Sequence, residues 1–231
     1  MSTTPDIPKV ALSVREPWSW ALRFAGKSAD GCENRAWKHA PKFRGPMLLH
    51  AGVGCTRLEF GQAADFMRRR GLIAAQGGHG DVHALPALDA PWDAHNPQWH
   101  LTRGGYVARA ELSDVRFNMS NGHQAPISAT NRIDTDAICA RCNNSTLSGS
   151  CRNPDRWAIV GQLAFIIRHV VPFDVIIPGP GQLGLYRVDP IKFREARTLA
   201  LDMADAGANP TDKANRPAFD DIWGIVRKGD A

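Results

Sequence analysis

The order of apolar and polar residues near the start of the chain predicts a strand, a helix and a second strand. Residues 11–14 form a short, mostly apolar run, which is typical of a strand. Pro17 follows at a position suited to the first turn of a helix, where its missing N–H costs nothing. The apolar residues of that helix recur at helical spacing and are Trp18, Ala21, Leu22 and Ala25. Gly26 is expected to end the helix, and the apolar run 47–49 predicts a strand that ends at His50.

The middle of the chain predicts one long helix and the central strands. Thr56 and Glu59 have the spacing of a capping box, so we expect a helix over residues 56–72. Residues 106–115 alternate as a strand does, and the apolar run 157–171 predicts one or two central strands.

The last third of the chain predicts turns, a closing strand and two helices. Pro172, Pro178 and Pro180 are expected to force turns before a strand over residues 183–188. Asp189 and Pro190 predict the start of a helix that runs to about residue 206. A short final helix is predicted from apolar residues on one face, namely Phe219, Ile222, Trp223 and Val226.

Two polar stretches interrupt this pattern. Residues 76–103 are rich in Gly, Pro, Asp and His and have no steady period, and residues 118–156 are a polar stretch with many Asn, Ser, Gly and Arg residues. Stretches of this length inside a compact domain are usually functional loops or insertions. We therefore expect one domain over residues 8–190 with two insertions, followed by a helical extension over residues 191–231 that packs on it.

Composition indicates a globular protein with one sizeable core. The chain has 231 residues, of which 43% are hydrophobic and 22% charged. No apolar run approaches the roughly 20 residues of a membrane helix, and residues 1–10 do not resemble a signal peptide. A cytoplasmic protein without a membrane partner is expected. The net charge of +5 permits a polyanionic partner without requiring one.

The second insertion carries a candidate metal site. Cys139, Cys142 and Cys151 lie within thirteen residues of each other in a segment too polar to fold by burial alone. Such spacing is typical of a small loop held by structural zinc, which usually takes four ligands. His123 is the nearest upstream candidate for the fourth ligand, and Cys32 and Cys55 are other thiols that would have to reach the site through the fold. Reduced, unliganded cysteines remain the alternative interpretation.

Three blocks of sequence carry a resemblance to a known family. The first contains Pro17-Trp18, Gly26-Lys27, Glu33-Asn34-Arg35-Ala36-Trp37, Arg44-Gly45-Pro46 and His50-Ala51-Gly52. The second is GGYVARAELSDV, and the third extends from Trp157 to Val188 and includes GQLGLY. In this order they resemble an ASCH domain of the PUA-like superfamily. The resemblance implies an α+β fold: a PUA-like small β-barrel of the ASCH type with flanking helices and two long loop insertions.

The same resemblance implies a basic cleft that binds RNA or a modified nucleoside. Its rim would include Lys27 and Arg35, which suit phosphates or carbonyls, and Glu33, which suits a base edge. The full set of implied binding residues is Trp18, Lys27, Glu33, Arg35, Trp37 and Arg44. The chain departs from the family's turn, Gly-x-Lys-x-x-Glu-x-Arg, because Lys27 directly follows Gly26 and the gap to Glu33 is longer. Trp18 in the core and a plain Glu33–Arg35 ion pair are the structural alternatives.

Two other functions stay open at this stage. A hydrolase, either a ribonuclease or a nucleoside amidohydrolase, would use Lys27 as the electrostatic stabiliser and Glu33 or His50 as the general base. Glu33 stands where the amidohydrolase branch of the family carries a threonine nucleophile, which argues against that branch. A protein-interaction module that recruits a partner through the cysteine loop and the C-terminal helices is the third possibility.

Overall fold

The computed structural model describes residues 6–73, 85–89, 101–128, 130–139, 141–147 and 149–226. Most of the first predicted insertion, 76–103, lies outside the described residues. The strands are β1 (Val10–Val14), β2 (Glu33–Arg35), β3 (Gly45–Ala51), β4 (Gly105–Asn118), β5 (Gln124–Pro126), β6 (Leu163–Pro178) and β7 (Leu185–Arg187). The helices are α1 (Trp18–Phe24), α2 (Lys27–Asp30), α3 (Arg57–Arg69), α4 (Pro190–Asp205) and α5 (Arg216–Trp223).

The strands form one curled mixed sheet that makes a half-barrel in an α+β fold. Along the sheet the order is β2-β6-β4-β3-β1-β7, and β5 pairs with the end of β4. Strands β1 and β3 are parallel, with Ser13 opposite His50, whereas β4 pairs antiparallel with both β3 and β6. Apolar residues from β1, β3, β4 and β6 fill the inside of the curl, and Leu12, Leu49, Leu112 and Phe165 are among them.

The predicted turn at Pro172 is wrong, because β6 continues through it to Pro178. The pairing of β6 with β4 shifts register near Ala108, which lies opposite Pro172. A proline has no N–H to donate to a ladder, so strands accept it where a bulge interrupts the pairing. A further shift lies beside His169, whose φ is 51°. These irregularities let one long strand bend around the barrel.

Local capping signals place the helices as predicted. Thr56 Oγ1 accepts a hydrogen bond from the Glu59 N–H at 3.2 Å, and Glu59 Oε2 accepts from the Thr56 N–H at 2.9 Å. This capping box confirms α3. Asp189 caps α4, with Pro190 at the first helical position, which confirms that helix too.

The C-terminal helices pack on the outer face of the sheet. Phe193 of α4 and Phe219 of α5 are buried there beside Tyr106 of β4. Trp223 Nε1 donates to the Pro178 carbonyl at 2.9 Å. The prediction for Val226 is wrong, since α5 ends at Trp223 and the Val226 residue is 84% exposed. Within the described residues, no helix is long and apolar enough to cross a membrane.

Candidate functional site: a cleft and a cysteine–histidine cluster

A cleft of about 450 Å³ opens where β1, β2 and β3 meet the loop before β7. Its lining includes Ser13, Trp18, Glu33, Arg35, His50 and Gly181. The structure therefore brings four of the predicted site residues, Trp18, Glu33, Arg35 and His50, to one cavity. Clefts of 300–1,000 Å³ with a few convergent polar groups are typical of sites for small molecules.

Lys27 is buried behind the wall of the cleft, where it forms an ion pair with Glu33. Gly26 adopts a left-handed conformation with a φ of 72°, and α2 then starts at Lys27. This turn carries the Lys27 side chain inward, where it is 1% exposed. Lys27 Nζ lies 2.5 Å from Glu33 Oε2 and 4.5 Å from the centre of the Trp18 ring. The lengthened gap between Lys27 and Glu33 therefore still permits a direct ion pair.

Arg35 approaches Glu33 from the other side. Its Nη2 lies 3.3 Å from Glu33 Oε1 and donates to the Ser13 carbonyl at 2.7 Å. The Arg35 Nε is buried and has no hydrogen-bond partner among the residues that the structure describes. A buried donor without an acceptor is costly in a folded protein. Arg35 therefore holds a donor beside the cleft that the described residues leave without an acceptor.

His50 forms the floor of the cleft and is held as a neutral ring. A register irregularity between Leu49 and His50 interrupts the pairing of β3 with β4. His50 Nε2 lies 3.2 Å from the Gly179 carbonyl, and Nδ1 lies 3.3 Å from Ser13 Oγ. Burial lowers the pKa of His50 to about 4, although the Gly179 carbonyl raises it and Arg216 lowers it further. The imidazole is therefore uncharged at neutral pH.

Two predicted binding residues lie away from the cleft lining. Trp37 packs edge-on against Phe165, with ring centres 5.0 Å apart, and it is partly buried against the core of the half-barrel. Arg44 donates to the Pro41 and Phe43 carbonyls, each at 2.7 Å, on the surface. Either residue would need a ligand that extends beyond the cavity in order to touch it.

Sequence reasoning missed Ser13 as a cleft residue. Its side chain faces the cleft from β1, directly opposite His50 in the parallel pairing. The available signal was a single hydroxyl within an otherwise apolar strand, Ala11-Leu12-Ser13-Val14. That signal does not reveal which residue lies opposite, since the partner strand starts more than thirty residues later.

A second site lies at the far end of β4, in the predicted second insertion. The ligand atoms of His123, Cys139, Cys142 and Cys151 all lie within 4.8 Å of one another, so this cluster could hold a metal ion. The structure thus brings together the four predicted ligands, and Cys32 and Cys55 are not among them. His123 precedes β5, and its Nδ1 lies 3.4 Å from Cys142 Sγ.

The local backbone supports thiolate character at Cys139. Burial raises the pKa of this thiol, but N–H groups of Gln124, Arg141 and Cys142, together with the His123 side chain, outweigh burial and lower the pKa to about 6. Asn143 adopts a left-handed φ of 59°, which closes the turn between Cys139 and Asn144 through a backbone hydrogen bond of 2.8 Å. Deprotonated sulfur is the form that binds metals.

The cysteine–histidine cluster is also attached to the wall of the cleft. Arg141 donates to the Asp30 carbonyl at 2.9 Å. Asp155 accepts from the Gln124 side chain at 3.1 Å and from the Trp157 N–H at 2.8 Å. The Trp157 carbonyl in turn accepts from Asn34, which lines the cleft, at 2.8 Å. A chain of hydrogen bonds therefore connects the segment of the cluster with the strand that carries Glu33 and Arg35.

No family model matches the sequence, and no curated protein matches it significantly. The function is therefore argued from the geometry of the two sites.

Proposed function

We propose that the cleft binds a modified nucleoside, either free or as a base turned out of an RNA strand, and that the half-barrel is a PUA-like barrel of the ASCH type. The observation that carries this proposal is the pairing of Glu33 with Arg35 at the cleft wall, next to the Trp18 ring. A carboxylate and a guanidinium N–H side by side match the donors and acceptors on the edge of a base. The buried Arg35 Nε is a further donor of this side chain that has no acceptor among the described residues.

The surroundings of this pair also suit a nucleoside. Proteins commonly hold unpaired bases by stacking them on aromatic side chains, which contributes about 1–3 kcal/mol per base. Trp18 offers an indole at the cleft, and Lys27, which lies 4.5 Å from the centre of that ring, pairs with Glu33. The exposed Leu183 and Val53 at the mouth provide apolar contacts for a sugar or a base modification.

A binding panel with a matched pair of arginine variants tests the proposal. Calorimetry would compare unmodified ribonucleosides, methylated and acetylated ribonucleosides, and short single-stranded RNA. Arg35→Ala should weaken binding by about tenfold or more, since a charge-assisted hydrogen bond contributes on the order of 1.5–3 kcal/mol. Arg44→Ala removes the same charge outside the cleft and should leave nucleoside binding unchanged.

The outcome for RNA also reveals what Arg35 contacts. If Arg35 binds a phosphate, Arg35→Ala will reduce the salt dependence of log affinity by about one unit. If it binds a base, the affinity will fall and the slope will stay the same. Equal binding by the parent protein and Arg35→Ala across the whole panel would refute the cleft assignment.

We further infer that His123, Cys139, Cys142 and Cys151 hold one structural zinc ion. Four-coordinate sites built from three thiolates and one imidazole are a common zinc arrangement. Sulfur ligands around one zinc lie about 3.8 Å apart, given Zn–S distances of about 2.3 Å. The observed separations, all within 4.8 Å, need little contraction to reach this value. Zinc would supply the free energy that this polar segment lacks in buried apolar residues.

Metal analysis tests the zinc assignment. Protein purified without chelators should contain about one zinc per chain, the stoichiometry of a four-ligand site. Cys142→Ser should lose most of it, whereas Cys55→Ser, which removes a thiol outside the cluster, should keep it. A metal-free parent protein in which the cluster thiols all react freely would refute the assignment.

A further inference from the structure

Ser13 and His50 form a hydrogen-bonded pair inside the cleft. They lie directly opposite each other on the parallel strands β1 and β3. Side chains opposite each other in a sheet point to the same face, and both of these residues line the cavity. Ser13 Oγ lies 3.3 Å from His50 Nδ1. A hydroxyl and an imidazole within hydrogen-bond reach are the two elements of an activated nucleophile.

The second nitrogen of His50 determines the direction of this hydrogen bond. Nε2 lies 3.2 Å from the Gly179 carbonyl, and a carbonyl can only accept. Nε2 therefore carries the proton of the neutral ring, and Nδ1 has a lone pair that accepts a hydrogen bond. The Ser13 hydroxyl consequently donates to Nδ1. The Gly179 carbonyl is the third group that orients the base, and Tyr106 holds the ring edge-on at 5.2 Å between ring centres.

We propose that Ser13 is a nucleophile and His50 its general base, and that the cleft hydrolyses a small carboxylic ester. This proposal does not depend on the ligand being a nucleoside, since it rests on the two side chains and on the orienting carbonyl. The His50 ring is neutral at neutral pH because burial disfavours its charged form. The neutral ring has a lone pair at Nδ1 that can accept the Ser13 proton, although the same burial makes it a weaker base than a free imidazole.

Arg35 is placed to stabilise the negative charge that such a reaction develops. Its Nη2 donates to the backbone carbonyl of Ser13 itself, at 2.7 Å, which brings the guanidinium next to the nucleophile. Its Nε is buried without an acceptor among the described residues. A preorganised charged donor beside a forming oxyanion is usually among the largest contributions to catalysis.

The proposed reaction is an ordinary two-step acyl transfer to water. Ser13 Oγ bonds to the ester carbonyl carbon while its proton moves to His50 Nδ1, and the carbonyl electron pair moves to the oxygen near Arg35. The tetrahedral intermediate collapses, the C–O bond to the alcohol breaks, and the alcohol oxygen takes the proton from His50. Water then adds to the acyl-Ser13 in the same way, His50 accepting and returning one proton. The products are a carboxylic acid and an alcohol.

Gly181 allows the loop before β7 to close over the imidazole. A Cβ at this position would overlap the His50 ring. Gly181→Ala should therefore displace His50 while leaving both proposed catalytic groups in the chain. This variant therefore tests whether the activity requires the observed geometry of Ser13 and His50, since both residues are still present.

A serine-directed probe tests the proposal. The full-length protein would be treated with a biotinylated fluorophosphonate, in which an activated serine displaces fluoride from phosphorus. Intact mass and peptide mapping would then locate the label, and p-nitrophenyl acetate hydrolysis would be measured in parallel. We expect one label on Ser13, no label in Ser13→Ala, and rates about 100-fold lower in His50→Gln, the usual scale for loss of a general base. Ser28→Ala, which removes a hydroxyl outside the cleft lining, should be labelled like the parent protein.

Each result decides between the alternatives. No label on the parent protein, or equal labelling and hydrolysis in Ser13→Ala, would overturn the proposal. Because His50→Gln could unfold the protein, its melting temperature is measured, and Gly181→Ala then provides the test of the base. If Gly181→Ala displaces His50 and Ser13 is still labelled as in the parent protein, the proposal that His50 activates Ser13 is also contradicted. If the parent protein binds no nucleoside in the panel but is labelled on Ser13, the proposed ligand is refuted and the proposed activity is not.

Discussion

Arg35 donates a hydrogen bond of 2.7 Å to the backbone carbonyl of Ser13. These residues belong to β2 and β1, which lie near opposite ends of the curled sheet. A side chain therefore bridges the open part of the half-barrel, where backbone pairing does not reach. The same side chain contacts Glu33, and its buried Nε has no acceptor among the described residues. One arginine thus contacts both β1 and the acidic residue of the cleft.

The buried Lys27–Glu33 pair should make Lys27 important for stability. Lys27→Met is expected to lower the free energy of unfolding by about 3–5 kcal/mol, because it leaves a buried carboxylate with Arg35 as its remaining charged partner. Urea unfolding monitored by tryptophan fluorescence measures this loss. Lys38→Met, which changes an exposed lysine nearby, serves as the control and should shift the value by less than about 0.5 kcal/mol. A similar small change for both variants would mean that the pair contributes little.

His50 should make the protein less stable in mild acid. The pKa of His50 falls from an ordinary 6.5 to about 4 in the folded chain, so the unfolded chain binds the proton first as the pH falls. Its contribution is complete above pH 6.5 and is lost progressively between about pH 6.5 and 4. The size of this effect is about 3 kcal/mol, at 1.36 kcal/mol per pKa unit.

The measurement is the free energy of unfolding as a function of pH. Other groups also titrate in this range, so the parent protein is compared with His50→Gln. The parent curve should fall more steeply than that of the variant between pH 6.5 and 4. Parallel curves would show that His50 is not held neutral by the fold.

Removal of the metal should expose the cysteine–histidine segment to proteolysis while the half-barrel stays folded. Ordering each residue of this polar segment costs on the order of 1–2 kcal/mol of backbone free energy, and structural zinc provides about 10 kcal/mol or more. Chelator-treated protein is therefore expected to be cleaved within residues 119–156 by limited proteolysis. Strands β3, β4 and β6 should remain protected, since their apolar core does not include the cluster. Cleavage in the core at the same rate would show that the metal holds the whole fold.

Gly184 should be intolerant of any side chain. Its φ is 83°, and a Cβ there would lie 2.8 Å from Trp37 Cζ2. Gly184→Ala combines backbone strain with overpacking and should lower the free energy of unfolding by about 2–4 kcal/mol. Gly207→Ala is the matched control, because Gly207 has a φ of 76° with nothing within 4 Å of its Cβ position. If both variants lose the same amount, the indole contact contributes nothing beyond the strain.

Several elements could be predicted because their signals are local. The capping box of Thr56 and Glu59, and Asp189 followed by Pro190, act within a single helical turn. The helices they start appear where the spacing indicates. The cysteine spacing likewise pointed to a metal cluster, because its three thiols lie in one polar segment.

Other features depended on bulges and buried partners that leave no local trace. Proline normally ends a strand, yet β6 passes through Pro172 because a register shift absorbs the missing N–H. Glu16 is buried against Arg23 at 2.9 Å and accepts from the Trp20 N–H. Burial raises the pKa of this carboxyl, although Arg23 opposes the effect. An acidic residue before a proline does not by itself predict a buried ion pair.

The sequence alone determined the helices with strong caps, the apolar strands and the residue types available for chemistry, because propensity, capping and periodicity act over a few neighbouring residues. The tertiary structure decided which of these residues meet. Ser13 and His50 are 37 residues apart and become neighbours only through the parallel register of β1 and β3. Lys27 reaches Glu33 only because Gly26 turns the chain inward. Strand register and burial are properties of the whole packed chain, so the arrangement of the cleft could not be obtained from spacing.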